Sequence, residues 1–150
     1  MENVVVVISA LLVPVIALLG ALIAYLQWNT NHKRLKHELF ERRYKFYEAI
    51  RDFLGTILTS GRVSQEAEMN YLINTSGIMF VFDKDIAEYI EKHIWHPAVD
   101  LRCLEAEIEG HPGGEARTAN AINQAKIKKE LNKELTELET RFAKYLQLGH

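Results

Sequence analysis

His93 and His96 stand three residues apart in a stretch with helical spacing, so both imidazoles would share one side of a helix and could hold a metal ion, with His111 further along the chain. Zinc chemistry needs a third ligand at a set place, and no H-E-x-x-H pattern occurs. Trp95-His96-Pro97 reads more simply as a kink packed by an aromatic ring. Glu105, Glu107 and Glu109 form an acidic cluster of the kind that usually lines a solvated helix face, and no paired carboxylates for acid–base work follow from it. Cys103, the single cysteine, reads as a small packed hydrophobe. No P-loop, G-x-S-x-G or dinucleotide fingerprint is present. These patterns predict no catalytic residue, no cofactor and no metal, hence a non-enzymatic protein.

The element that would position everything else is Val4 to Leu26, 23 residues without a charged side chain. As a helix at 1.5 Å per residue it would measure roughly 34 Å, against about 30 Å of bilayer hydrocarbon. The run is too long for a cleaved signal peptide and has no basic n-region, and no cysteine follows it to make a lipoprotein. A buried core helix is rarely apolar all round for so many turns. The sequence therefore predicts a transmembrane helix over 4–26, a short non-cytoplasmic tail at 1–3, a basic juxtamembrane segment at 27–37 and a cytoplasmic helical domain at 38–150. Lys33, Arg34 and Lys36 follow the span and only Glu2 precedes it, so the positive-inside bias predicts a single-pass inner-membrane protein with its N-terminus outside. Tyr25 and Trp28 suit the headgroup level. Ala17 with Ala21, and Gly20 with Ala24, are small-xxx-small pairs through which two spans could approach closely.

Beyond the span the spacing predicts an all-α fold: an antiparallel bundle of three long helices and one short one, the first continuous with the span or restarting near Asn29 to Asn31. Leu39, Phe46, Ile50, Phe53 and Ile57, with Phe40, Tyr44, Tyr47, Leu54 and Leu58 beside them, make a wide apolar face that Gly61 closes. A short helix over about 64–73 would turn Ala67, Leu72 and Met69 inward. Ile78 to Phe82 is an apolar run that periodicity cannot assign, and it reads as an extended plug or a helix lead-in.

Asp85 and Glu88 have the spacing of a capping box. Ile86, Ile90, Ile94, Pro97, Leu101, Leu104 and Ile108 keep one register across the proline, which predicts one kinked helix. Residues 110–114, GHPGG, break the chain. Leu131, Leu135, Leu138, Phe142 and Tyr145 then form a seam that serves either the bundle's own core or a coiled-coil dimer.

Charge is uneven. Residues 32–45 hold six Lys or Arg against two Glu, whereas 64–109 hold ten Asp or Glu against three Lys or Arg. The basic end would attract anionic lipid headgroups. A formal net charge of −2 argues against nucleic acid as a partner.

Gln27-Trp28, Lys33-x-Leu35-Lys36, the run Leu39-Phe40-Glu41-Arg42-Arg43-Tyr44-Lys45-Phe46-Tyr47-Glu48-Ala49, Phe80-Val81-Phe82 before Ile86 and Tyr89-Ile90, and Phe142-x-x-Tyr145-Leu146 together resemble a group of small bacterial single-span membrane proteins of unknown function. The resemblance implies an architecture and no activity. Two functions remain in view: an interaction or scaffold module at the inner face of the membrane, docking a cytoplasmic protein or a second copy, and an oligomerising membrane-acting effector of toxin or phage-defence type.

Overall fold

A computed structural model describes the backbone of residues 2–109 and 113–147 and the side chains of 12, 14–108 and 113–147. Among the described residues all regular structure is helical. The order is α1 (Glu2–Ser60), α2 (Gln65–Thr75), a 3₁₀ turn (Ile78–Phe80), α3 (Lys84–Ile90), a π turn (Glu91–Trp95), α4 (His96–Glu109) and α5 (Glu115–Phe142). The chain divides into two compact units, Met1–Glu38 and Leu39–His150.

The first unit is the N-terminal part of α1, which runs through Asn29 to Asn31 without a pause. Here the expected membrane placement fails: among the described residues no helix is long and apolar enough to cross a membrane. The side chains of 1–11 and 13, which hold much of the expected span, lie outside the described residues. The described remainder from Pro14 to Leu26 would reach only roughly 20 Å, where about 20 apolar residues are needed. Lys33, Arg34, Lys36 and Glu38 follow it in the same helix. The single-pass inner-membrane localisation, with its outside N-terminus and cytoplasmic domain, is therefore withdrawn. The headgroup roles given to Tyr25, Trp28, Lys33, Arg34 and Lys36, and the lipid partner, rested on that placement.

The second unit holds the core. Phe46, Ile50, Phe53, Leu54 and Ile57 of α1 are buried, as their spacing requires, while Leu39 and Tyr44 stay exposed. Gly61 ends α1 at φ 70, its amide donating to the Ile57 carbonyl at 2.8 Å. Ser64 then caps α2, its hydroxyl accepting from the Ala67 amide at 3.1 Å. Ile86, Ile90, Ile94, Ala98 and Leu101 form the inward row of the helix that runs from α3 through the π turn into α4. Pro97 lacks an amide proton and its ring would strike the carbonyl four residues back, and the π turn that ends two residues before it widens the helix there. Pro97, Leu104 and Ile108, expected in that row, are only half-buried, and Ala98 is buried in place of Pro97.

Leu131, Leu138, Phe142 and Tyr145 of the C-terminal seam are buried in this same core, with Leu135 packed against it, so the seam is internal. Each fully buried Leu or Ile contributes roughly 1.5–3 kcal/mol over its exposed state. Residues 110–112 of the expected break lie outside the described residues, and α5 begins directly after Gly114.

Three local expectations are corrected. The short helix turns Tyr71 inward, and Met69 and Leu72 are exposed, because Tyr71 rather than Leu72 faces Phe53 and Trp95. The 78–82 run forms a 3₁₀ turn over Ile78–Phe80, and of its five residues only Phe82 is buried. No side-chain cap forms at the start of α3, whose flanking residue is Asp83.

Candidate interaction surface

The candidate residues of the sequence fall in different local settings. His93 Nδ1 lies 3.7 Å from Glu134 Oε1 on α5, whereas His96 Nε2 lies 3.8 Å from Glu91 Oε1, so the two imidazoles face different carboxylates. Among the described residues no group of three His, Cys, Asp or Glu could hold a metal ion. Cys103 is exposed rather than packed. Glu105 is not part of a solvated face: its Oε2 accepts the Val63 amide at 3.2 Å and ties the α1–α2 link to α4. Glu107 accepts from Asn120 Nδ2 at 3.3 Å, and the Asn120 amide also donates to the Leu104 carbonyl at 2.9 Å. His111 and the side chain of Glu109 lie outside the described residues.

Two polar clusters have no signature in the sequence. Glu134 is 9% exposed and accepts from the Tyr89 hydroxyl at 2.5 Å, with the Arg141 guanidinium 4.7 Å from the Tyr89 ring centroid. Burial first, and then the Glu134 carboxylate, push the Tyr89 hydroxyl above the usual phenol range. In the second cluster Arg43 donates to the Val81 carbonyl at 3.3 Å and the Tyr145 carbonyl at 3.4 Å. Its guanidinium lies 5.4 Å from the Tyr145 ring centroid. The Tyr145 hydroxyl donates to Asp83 at 2.6 Å, and Lys144 stands 3.6 Å from the same carboxylate. That hydrogen bond, with Lys144 and Arg43 behind it, holds the Asp83 carboxyl below the ordinary Asp range.

Aromatic and ionic contacts hold α2 and the residues after the 3₁₀ turn. Tyr71 stacks on Trp95 at 5.4 Å and packs on Phe53 at 4.4 Å, and Glu68 pairs with Arg102 of α4. Phe82 meets Phe46, Phe142 and Tyr145 edge-on at 5.9, 5.2 and 5.2 Å. Gly77, at φ 82, supplies the left-handed residue that turns the chain from α2 into the 3₁₀ turn.

With Tyr71 and Phe82 pinned inward, the alternate faces point out. Met69, Leu72 and Ile73, at i, i+3 and i+4, share the outer face of α2 and are exposed; Met79 is exposed and Phe80 is 86% exposed. Between residues 64 and 88 the chain carries five Asp or Glu against one Lys. Glu66, Asp83, Asp85 and Glu88 are exposed. The result is an exposed apolar ridge flanked by carboxylates, of which Asp83 pairs with Lys144 and Glu88 with Lys84.

In the first unit Tyr25, Trp28, Lys33, Arg34 and Lys36 are all exposed, as are Ala17, Gly20, Ala21 and Ala24. Arg34 pairs with Glu38 at 2.8 Å in the ordinary i,i+4 manner. Space around Gly20 is open. No family model, curated protein or solved structure matches the chain.

Proposed function

We propose that the chain is a non-enzymatic helical interaction module, whose helices beyond residue 38 pack as an antiparallel bundle and present the α2–3₁₀ ridge to a basic amphipathic helix of a partner protein. The observation that carries this reading is the exposure of Met69, Leu72, Ile73, Met79 and Phe80 within twelve residues of chain. Five large apolar side chains left exposed so close together in the chain are uncommon on a surface with nothing to bind. Two of the five are methionines, whose unbranched thioethers adapt to an incoming side chain. The acidic setting selects a cationic rim on the partner and repels an acidic one. The braced support lowers the cost of ordering the surface on binding.

The test is fluorescence anisotropy of the full chain with a labelled 18-residue Leu/Lys amphipathic helix and its Leu/Glu counterpart. The basic peptide should bind, more weakly as salt rises, and Met79→Ala with Phe80→Ala should weaken it about tenfold or more. Equal binding of both peptides, or a double variant that binds like the parent, overturns the reading.

A further inference from the structure

The first unit carries a separate surface, independent of the α2–3₁₀ ridge. Between Gln27 and Glu38 the large apolar side chains are Trp28 and Leu35 alone, seven residues apart with His32 between them. The His32 ring stacks on Trp28 at 5.9 Å, and Trp28 lies 6.3 Å from the Tyr25 ring, so these rings line one stripe. Upstream the stripe continues through Ala21 to Leu18. The positions 18, 21, 25, 28, 32 and 35 step by 3, 4, 3, 4 and 3, and the same spacing reaches Leu39 in the sequence. A mean step of 3.5 keeps a seam facing another helix as the two supercoil.

We infer that this stripe is the seam of a parallel, in-register coiled coil between two copies of this chain. Leu18, Tyr25, Trp28 and Leu35 are 60–71% exposed. At roughly 100 Å² or more apiece, with His32 adding its ring, they offer roughly 500 Å² per helix, or roughly 1,000 Å² for the pair, the lower size limit of a specific interface. Polarity selects both the partner and the direction. The helix is apolar on every face from Pro14 to Leu26 and polar outside the seam from Gln27 to Glu38. Parallel copies set apolar half against apolar half and polar half against polar half. An antiparallel pair would lay Lys36 along the other copy's aliphatic stretch. In parallel register the flank beside Lys36 meets Asn31 of the second copy, and Lys33 and Arg34 point away from the seam, so no like charges meet across it.

The test uses the full chain with Cys103→Ser, since Cys103 is exposed, and adds either Leu35→Cys on the seam or Lys33→Cys off it. Oxidised glutathione supplies the oxidant, and non-reducing electrophoresis reads the product. In-register seam positions lie within disulfide reach and off-seam positions do not, so Leu35→Cys should link at least about tenfold faster than Lys33→Cys. The product should be a dimer, and adding Trp28→Glu should slow it to the off-seam rate. Equal rates at the two positions, no dimer from Leu35→Cys, or indifference to Trp28→Glu overturns the inference. Circular dichroism of each variant confirms that its helix content matches the parent.

Discussion

Phe80 and Phe82 are two residues apart in one apolar run, and their substitutions should have opposite signatures. Phe82 is 6% exposed with three edge-on aromatic neighbours, Phe46, Phe142 and Tyr145. Phe82→Ala removes a ring that the surrounding helices cannot collapse to replace, and should cost about 3–5 kcal/mol. Part of that is the loss of the ring pairs, worth about 0.5–1.5 kcal/mol each beyond their buried area. Phe80 is 86% exposed, so Phe80→Ala should change stability by less than about 0.5 kcal/mol. Urea titration followed by far-ultraviolet circular dichroism measures both. With an m-value of about 1.5 kcal/mol/M, the Phe82→Ala midpoint should fall by roughly 2–3 M at constant slope, while that of Phe80→Ala stays in place. A loss under about 1 kcal/mol for Phe82→Ala, or over about 1.5 kcal/mol for Phe80→Ala, would refute the assignment of inner and outer faces on which the proposed ridge depends.

Tyr89→Phe strips the buried Glu134 carboxylate of its hydroxyl donor and should cost about 1–3 kcal/mol in the same titration, with part of the loss recovered when Glu134→Leu is added. Gly61→Ala places a side chain at φ 70 with its nearest neighbour, Lys128 Nζ, 3.8 Å away. The cost should therefore be conformational, about 1–2 kcal/mol, and smaller for Gly61→Asn. Because the Tyr145 hydroxyl favours the charged form of Asp83, the folded pKa lies below the ordinary 3.8. The contribution is present above that value and is lost as pH falls through the folded pKa. Tyr145→Phe should move the Asp83 titration, followed by carboxyl NMR, up toward 3.8; an unmoved titration would remove Tyr145 as the cause.

Local chemistry made much of the fold legible. The α5 seam, the Gly61 terminus and the continuity of one helix across Pro97 all follow from spacings of three and four or from one residue's backbone demands. The π turn before Pro97 was not legible, because a proline announces a defect and not which form the helix adopts to absorb it. Leu72 was misassigned for a related reason. On a helix as short as α2, three phases of the apolar pattern are nearly equivalent, and the stacking of Tyr71 between Phe53 and Trp95 chooses among them. The buried pair of Tyr89 with Glu134 and the links from Arg43 to Val81 and Tyr145 join residues 38 to 102 positions apart, and spacing within one helix carries no sign of them. Arg43 belongs to the basic run in sequence, yet its guanidinium reaches the Val81 and Tyr145 carbonyls. At the N-terminus the expected membrane span does not stand, since among the described residues no helix is long and apolar enough to cross a membrane. The acidic character of 64–109 was visible from composition; the apolar ridge within it emerged only when Met69, Leu72, Met79 and Phe80 were found to point outward.

Amide hydrogen exchange of the full chain, with and without the Leu/Lys amphipathic peptide, tests the docking surface most directly. Slower exchange on adding the peptide, centred on Met69 to Phe80 and absent with the Leu/Glu peptide, is the predicted result. Protection centred elsewhere, or exchange over those residues that the basic peptide leaves unchanged at saturating concentration, would contradict it.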